Sequence, residues 1–347
     1  MLTTKKIYPL MLSLLFVSST VSATTGQEEE RAAPAEVNKI IADTKPEVNA
    51  GKFDRRIELL KKARNDYKGN SAAQRRILNA LASTYEQKGD MSQALSYVKA
   101  AYTIDPNSSW SNYLLGVINS SQKNYVKALE YYSVAIKNET DAGFLSTINN
   151  NIANDYFDQK KYDTAISYFS NAIEHTHSNV DYHMRGRCFD ELKDYSSAIR
   201  DYTNAIKQKS DDVDSYFLRG NAYGQIKDFA NSVADYKKAL GLDPKRTQIY
   251  FRLGLSLLNQ KQYAASIEAY NIYISHHPKD SGAYHNRGLS YFHLENYTAA
   301  IDNFSQAILL DVRKGVSYKM RGLAYKKIGK IEQAQQDMVR AKKLGVR

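Results

Sequence analysis

The chain has 347 residues, enough for two ordinary domains or for one continuous repeat array. It contains 27 tyrosines and 11 phenylalanines but a single tryptophan, with only 17 glycines and 6 prolines, which is typical of an aromatic helical unit used many times. Cys188 is the only cysteine, so an internal disulfide is excluded. The net charge of +11 is uneven. Residues 52–76 and 315–347 are basic, residues 24–51 are acidic and residues 77–314 are nearly neutral, so we expect no nucleic-acid partner.

Residues 1–23 have the pattern of an export signal. Lys5 and Lys6 precede an apolar run at residues 7–17, and small residues close the segment at Ala23. We expect cleavage after Ala23 and a mature protein that is exported, either periplasmic or secreted, and soluble. The apolar run is shorter than the roughly 20 residues that a membrane span needs, so a membrane anchor is disfavoured.

The next segment, residues 24–51, lacks sustained apolar periodicity and carries an acidic triplet near its start, so we expect a flexible leader. A short helix is predicted within it, at residues 35–43. Apolar residues at helical spacing then predict an amphipathic helix from Phe53 to Tyr67. We interpret residues 52–74 as an incomplete first repeat, or N-terminal capping helix.

A small residue recurs along the rest of the chain with a nearly constant period. The intervals are 34, 37, 33, 34, 34, 34 and 34 residues. The small residues are Ala82, Gly116, Ala153, Gly186, Gly220, Gly254, Gly288 and Gly322. Aromatic residues and a second helical pattern recur in phase with them, so the sequence predicts stacked helical hairpins. We expect the small residue where the two helices of each hairpin cross closely.

The residues that carry this pattern resemble those of the tetratricopeptide repeat. In one unit they are Tyr216, Gly220, Tyr223, Tyr236, Ala239 and Pro244. The resemblance covers residues 75–347 as eight repeats, which begin near residues 75, 109, 146, 179, 213, 247, 281 and 315. It implies an all-α, right-handed superhelical solenoid. Three extra residues between Gly116 and Ala153 depart from the pattern, and we expect them to lengthen the loop at residues 139–143.

A second pattern links positions 7 and 23, counted from the start of each repeat. In four of the last five repeats, an arginine at position 7 accompanies an aspartate or asparagine at position 23; in the remaining repeat, Leu253 at position 7 accompanies Ala269. The two positions lie at the same level of a hairpin that turns near position 15. We therefore predict hydrogen-bonded pairs with a structural and not a catalytic role. They are Arg185 with Asp201, Arg219 with Asp235, and Arg321 with Asp337.

No catalytic or cofactor motif accompanies the repeats. The sequence lacks an HExxH motif, a phosphate-binding glycine loop and a GxSxG motif. Its seven histidines have no cysteine or carboxylate set at zinc-ligand spacing. We therefore expect no enzymatic activity, no cofactor and no metal.

The resemblance also implies where a partner binds. In this family the first helices of successive repeats line a concave groove, and positions 2, 5, 9 and 12 face it. We expect this groove to hold a peptide or protein segment, although some of its apolar residues could instead pack against the next hairpin. The candidate residues, including polar neighbours, are Asn150, Asn154, Phe157, His183, Arg187, Phe217, Asn221, Phe251, Arg252, Leu255, Leu258, His285, Asn286, Leu289, Phe292, Lys319 and Lys326.

These features predict a non-enzymatic interaction scaffold or adaptor of the cell envelope or the secretory route. A second hypothesis is that the basic end repeats, with Lys326, Lys330 and Arg340 among their charges, bind an anionic envelope polymer or a membrane surface. The alternative for the last repeat is a polar cap that ends the stack. Steep weakening of binding by salt would favour the polymer, because exposed charges are screened.

Overall fold

The structure, a computed structural model, describes residues 34–45 and 52–346. The predicted signal peptide and most of the predicted leader lie outside the described residues. Within these residues the chain forms 18 α-helices and no strand, so the predicted all-α repeat fold is confirmed. None of the described helices is both long enough and apolar enough to span a bilayer.

The chain divides into two compact units, the first ending at Thr176 and the second beginning at His177. The first unit contains α1 (Ala35–Asp43), α2 (Phe53–Asp66), α3 (Ser71–Lys88), α4 (Met91–Ile104), α5 (Ser109–Ser121), α6 (Tyr125–Lys137), α7 (Ala142–Asp158) and α8 (Tyr162–Thr176). The second contains α9 (Asn179–Glu191), α10 (Tyr195–Gln208), α11 (Val213–Gln225), α12 (Phe229–Leu242), α13 (Gln248–Asn259), α14 (Tyr263–His276), α15 (Ser281–His293), α16 (Tyr297–Leu310), α17 (Gly315–Lys327) and α18 (Ile331–Lys343). Within each unit, neighbouring helices pack as hairpins around apolar cores.

The turn between α11 and α12 shows how each hairpin reverses direction. Lys227, at position 15, has a left-handed backbone with φ 63°. The next residue, Asp228, donates its backbone N–H to the carbonyl of Tyr223 at 2.9 Å, which closes the end of α11. Its carboxylate accepts a hydrogen bond from the backbone N–H of Asn231 at 3.2 Å and so caps α12. These local contacts set the two helices side by side.

The glycine at position 8 faces an aromatic ring from position 24 of the same hairpin. A Cβ atom on Gly220 would lie 2.8 Å from a ring carbon of Tyr236, and one on Gly288 would lie 2.8 Å from a ring carbon of Phe304. Contacts this short do not occur between real side chains, so a larger residue would displace the ring. At these two glycines the nearest obstacle is a ring of the second helix, whereas at Gly322 it is the backbone oxygen of Ala334 on the second helix, 3.1 Å from the Cβ position.

The three extra residues between Gly116 and Ala153 do not lengthen a loop, so that prediction is wrong. The linker between α6 and α7, residues 138–141, has the same length as the linker between α10 and α11. The extra residues lengthen α7 instead, which has 17 residues against 13 in α11. Asp141 caps the added turn by accepting a hydrogen bond from the Phe144 N–H at 2.7 Å. Phe144 therefore lies on a helical turn that α5 and α11 lack.

The structure brings together the arginine and aspartate side chains at positions 7 and 23. Arg219 donates from Nε to Asp235 Oδ2 at 2.8 Å and from Nη2 to Oδ1 at 2.7 Å. The same two-point contact joins Arg185 to Asp201 and Arg321 to Asp337, with distances of 2.7 and 2.8 Å. Arg287 donates from Nε to the Asn303 side-chain oxygen at 2.7 Å. Paired geometry of this kind satisfies most donors of a partly buried guanidinium.

Arg219 and Arg321 also contact the preceding hairpin. Arg219 donates from Nη1 to the Thr203 hydroxyl at 3.0 Å, and Arg321 donates to the Ser305 hydroxyl at 3.0 Å. The Arg219 guanidinium also lies 5.5 Å from the ring centre of Tyr216, within the range of a cation–π contact. The arginine therefore links the two helices of its own hairpin and the hairpin before it.

Removing one member of this pair should destabilise the second unit more than removing both. We expect Asp235→Ala to lower the free energy of unfolding by about 1–3 kcal/mol, because Arg219 is left without its acceptor. Arg219→Leu combined with Asp235→Ala reproduces the natural pair Leu253 and Ala269, so it should recover part of that loss. Urea unfolding of the two single variants and the double variant gives the coupling energy. Additive losses would show that the pair has no energetic role.

Candidate functional site

The candidate groove residues fall into two sets, one in each unit. Asn150, Asn154 and Phe157 lie on α7, whereas the others lie on α9, α11, α13, α15 and α17. We call positions 2, 5, 6, 9 and 12 of these five helices the inner face of the second unit. This face carries most of the residues that the repeat pattern leaves available for a partner.

The apolar side chains of the inner face are supported from behind by rings of the second helices. Phe251 meets Tyr270 and Tyr273 edge to face, with ring centres 5.7 and 5.2 Å away. It is partly buried, so its ring is held in place while part of it stays accessible. Among the partly buried apolar residues of this face are the six predicted ones, Phe217, Phe251, Leu255, Leu258, Leu289 and Phe292. They form apolar sites with restricted side-chain motion, and not fully exposed hydrophobic patches.

Two histidines that were predicted to line the groove contact the next repeat. His183 Nδ1 lies 2.8 Å from the Ser215 hydroxyl, and His285 Nδ1 lies 2.9 Å from the Ser317 hydroxyl. Burial, together with the charge of Lys314, lowers the pKa of His285 to about 4. His285 is therefore neutral near pH 7. Both side chains therefore already have a hydrogen-bond partner within the stack.

Amide side chains that were predicted to hold a peptide backbone also have internal partners. Asn221 accepts a hydrogen bond from the Tyr236 hydroxyl at 2.8 Å. In the first unit, Asn154 donates to the side-chain oxygen of Asn150 at 2.7 Å. Phe157, on the same helix, is partly buried. Any partner that used these amides would have to share them with existing hydrogen bonds.

The polar residues that remain on the inner face are mostly basic. Arg252 and Lys326 are exposed, whereas Arg187, Lys319 and Asn286 are partly buried. On α13, α15 and α17, the inner-face positions contain no aspartate or glutamate. That part of the face therefore combines apolar side chains with positive charge.

The first unit carries an aromatic cluster that was not predicted. The ring centre of Trp110 lies 4.9 Å from that of Phe144 and 5.5 Å from that of Tyr113, and Tyr113 meets Phe144 edge to face at 5.1 Å. Trp110 is 38% exposed. Trp110 and Tyr113 occupy positions 2 and 5 of α5, which face the groove in this family, so the repeat positions could have indicated both residues. Phe144 has no such signal because it lies in the insertion.

Two buried carboxyl groups lie in the same unit. Glu86, at the C-terminal part of α3, is 8% exposed, and no described residue gives it a hydrogen bond or an ion pair. Burial raises the pKa of Glu86 to about 7. Asp155, on α7, accepts a hydrogen bond from the Ser120 hydroxyl, yet burial raises its pKa to about 6. Burial raises the pKa of Tyr113 to about 12, and the charge of Glu86 contributes in the same direction.

Comparisons with known proteins decide the family. Family models of the tetratricopeptide repeat match residues 76–108, 213–246 and 251–311, and a TPR repeat model matches residues 186–227. The chain is a tetratricopeptide-repeat protein. No curated protein sequence matches it.

Several solved structures are similar to about half of this tetratricopeptide array. MamA 41-end from Desulfovibrio magneticus RS-1 is 20% identical, with a TM-score of 0.47 over 48% of this chain and 94% of that chain. A crystal structure of MamA protein is 23% identical, with a TM-score of 0.46 over 48% and 91%. YrrB, described as a TPR protein with an unusual peptide-binding site, is 18% identical, with a TM-score of 0.47 over 51% and 91%. Similarity at this level does not extend to individual residues of the inner face.

A tetratricopeptide array is a protein–protein interaction scaffold, and the family is generally non-enzymatic. The repeats stack through their small residue and their rings and, where it is present, through the arginine at position 7. Specificity therefore depends on the side chains that stacking does not use.

Ionised Glu86 should lower the free energy of unfolding at alkaline pH. Its folded pKa is raised above the unfolded value, so its contribution to stability falls as the pH rises from about 4.5 to about 7. We expect Glu86→Gln to raise the free energy of unfolding by roughly 1–3 kcal/mol at pH 8, because the buried charge is removed. The gain should disappear near pH 4.5, where the carboxyl group is protonated in the folded chain.

Chemical unfolding at the two pH values measures this difference. Glu58→Gln is the matched control, since Glu58 is an exposed residue of the same unit. It should change stability little at either pH. A Glu86→Gln variant that is less stable than the natural chain at pH 8 would contradict a desolvated, unpaired carboxylate.

Proposed function

We propose that the inner face of the second unit binds an extended segment of a partner protein. The observation that carries this proposal is the set of apolar side chains on consecutive first helices: Phe251, Leu255 and Leu258 on α13, and Leu289 and Phe292 on α15. Each is partly accessible, although Phe251, Leu289 and Phe292 also pack against buried residues of the repeat cores. Apolar residues at such positions can accept the side chains of a bound segment.

An aromatic ring that is already held by its neighbours favours the binding of a partner. Phe251 is fixed by Tyr270 and Tyr273, so a partner that covers it does not have to restrict a freely rotating side chain. Burying the accessible part of a phenylalanine contributes favourably in proportion to the apolar area removed from water. The apolar side chains of the inner face therefore contribute binding energy with a small loss of conformational entropy.

The charge of the face indicates the kind of segment. Arg252 is exposed beside Phe251, and Lys319 and Lys326 lie on α17, with no acid at the inner-face positions of these helices. A segment that combines apolar residues with a carboxylate, either a side chain or a chain terminus, complements this pattern. The partner class is thus an apolar and acidic peptide or protein segment.

The place of action that we propose is the cell envelope or the secretory route. The support for this part is the export-signal pattern of residues 1–23, which lie outside the described residues. The chain would act there as a non-catalytic adaptor that presents its inner face to an envelope protein. Binding of an anionic polymer by the basic last repeat is the competing function, and salt dependence separates the two.

Phe251→Ala should weaken binding of an apolar and acidic peptide by about tenfold or more, since an anchor of this size contributes about 1.5–3 kcal/mol. Fluorescence polarisation with a labelled peptide measures the change, and thermal unfolding shows whether the variant remains folded. Leu309→Ala is the matched control, because Leu309 is 72% exposed and lies outside the inner face. Polyglutamate bound equally well by both variants, with strong weakening in salt, would support the polymer hypothesis instead.

Processing of the N-terminus tests the place of action. In a bacterial host the full chain should be recovered from the envelope fraction with Thr24 as its first residue, as measured by N-terminal sequencing. Ala23→Arg should block cleavage, because signal peptidases require a small residue there. Ala32→Arg, beyond the predicted cleavage point, is the control and should be processed normally. Accumulation of the uncleaved natural chain in the cytoplasm would contradict export.

A further inference from the structure

Successive hairpins of the second unit stack through a contact made by positions 5, 24 and 28 of the earlier repeat. In one repeat these positions are Phe251, Tyr270 and Ile274, and they form an apolar cluster with Ala283. Ala283 is buried and lies at position 3 of the next repeat, in the first turn of α15. Positions 5, 24 and 28 of one hairpin therefore form the surface that the first turn of the next hairpin covers.

The helix that covers this surface begins with an aspartate cap in two of these hairpins. Asp280 caps α15 by accepting a hydrogen bond from the Ala283 N–H at 3.1 Å. The second oxygen of its carboxylate accepts a hydrogen bond from the Tyr273 hydroxyl of the preceding hairpin at 2.9 Å. Asp212 caps α11, and its Oδ2 lies 3.9 Å from Nδ1 of His183, at position 5 of the preceding repeat. The cap carboxylate therefore contacts both its own helix and the hairpin before it.

The last hairpin presents the same three positions to a cavity of about 650 Å³. Lys319, Met338 and Lys342 occupy positions 5, 24 and 28 of this repeat. The residues that line the cavity are Lys319, Met338, Ala341, Lys342, Gly345 and Val346. The cavity therefore lies on the surface that the first turn of a following helix covers between internal hairpins.

The chain turns away from this surface after α18. The helices α10, α12 and α16 each end in an extended residue that leads to the next hairpin. These residues are Lys209, Asp243 and Asp311, with φ of −139°, −140° and −145°. After α18 the chain instead turns at Gly345, which has a left-handed backbone with φ 81°. Val346 then donates its backbone N–H to the Ala341 carbonyl at 3.1 Å, which closes the helix end. Residues 345 and 346 thus form a wall of the cavity.

The cavity differs from the internal contact in its charge. Position 28 is a buried isoleucine or leucine in the four preceding repeats, namely Ile206, Leu240, Ile274 and Ile308. In the last repeat it is Lys342, which is exposed, and position 5 is Lys319. The N-terminus of a helix carries a partial positive charge, so these lysines oppose an uncapped helix. A carboxylate at the N-cap reverses this effect, because it accepts from the helix N–H groups and attracts the lysines.

We propose that this cavity binds the first turn of an α-helix from a partner protein, with an aspartate as N-cap and a small residue three positions later. The helix takes the place that α15 has on the hairpin before it. Its small residue packs against Met338, and its cap carboxylate lies beside Lys319 and Lys342. Serine or alanine fits, because Ser215 and Ala283 have the equivalent place in internal hairpins and are fully buried.

A second copy of this chain does not meet these requirements. Of its first two described helices, α1 follows Pro34 and α2 follows Lys52, and neither has a side-chain cap. Residues 52–76 are basic, as is the last repeat, so like charges oppose an end-to-end contact. The aspartate-capped helices α11 and α15 are already stacked within the second unit. The partner is therefore a different protein with an acidic helix start.

This site goes beyond the inner face, which is proposed to bind an extended segment. The two sites share Lys319, so that residue stays unchanged in the test. Phe251→Ala should weaken binding of the extended segment and leave helix binding unchanged. Failure of one proposal is therefore distinguishable from failure of the other.

A designed helix tests the site. The probe is an end-blocked, alanine-based peptide of about 18 residues, long enough to be partly helical in water. It carries an aspartate N-cap, a serine three residues later, several glutamates and a fluorophore near its C-terminus. We expect saturable binding to the full mature chain, measured by fluorescence polarisation. Leucine in place of the serine should weaken binding by about tenfold or more, because the equivalent internal site holds only a small side chain. Asparagine in place of the aspartate caps the helix without charge and should weaken binding several-fold.

Lys342→Glu should weaken the designed helix by about tenfold or more, because it opposes the cap carboxylate. Lys343→Glu is the matched control, since Lys343 is an exposed neighbour on α18 that does not line the cavity, and it should change binding little. Thermal unfolding shows whether both variants remain folded. Equal weakening by the two variants would reduce the effect to general charge attraction, and weakening by Phe251→Ala would place the helix on the inner face. Either result would overturn the proposal, as would tolerance of leucine or a dimer in ultracentrifugation that Lys342→Glu abolishes.

Discussion

The contact between the ring at position 24 and the glycine at position 8 sets the geometry of the aromatic repeats. Because a Cβ atom on Gly220 would lie 2.8 Å from the ring of Tyr236, that ring can pack only where the first helix has no side chain. The ring then extends beneath the first helix, and its hydroxyl reaches Asn221 on the inner face. Core packing thus decides which inner-face polar groups are already occupied before any partner binds.

Buried polar side chains also form contacts between successive repeats. Ser232 and Ser266 stand where most repeats have alanine, and each shares a hydrogen bond of 2.9 Å with a serine of the next repeat, Ser256 and Ser290 respectively. All four hydroxyls are buried, and a buried hydroxyl without a partner would be costly. A departure from the repeat pattern is therefore often one half of a contact whose other half lies in the next repeat.

The sequence predicted the all-α class and the hairpin period because every repeat contains the same local signals. It also indicated which arginine and aspartate positions meet, since both lie within one hairpin and vary together. Contacts between repeats were harder to predict. His183 and Ser215 are 32 residues apart, and neither residue is unusual for a surface helix when taken alone. The effect of the insertion was mispredicted because the number of extra residues does not reveal whether they extend a loop or a helix.

The two units differ in the chemistry that their stacking leaves available. On α13, α15 and α17 the remaining groups are apolar or basic, whereas those on α3, α5 and α7 are aromatic or acidic. Residues that serve only stability do not normally retain a buried, unpaired carboxyl group, because its ionisation opposes folding. Glutamine at position 86 would have nearly the same shape without that penalty.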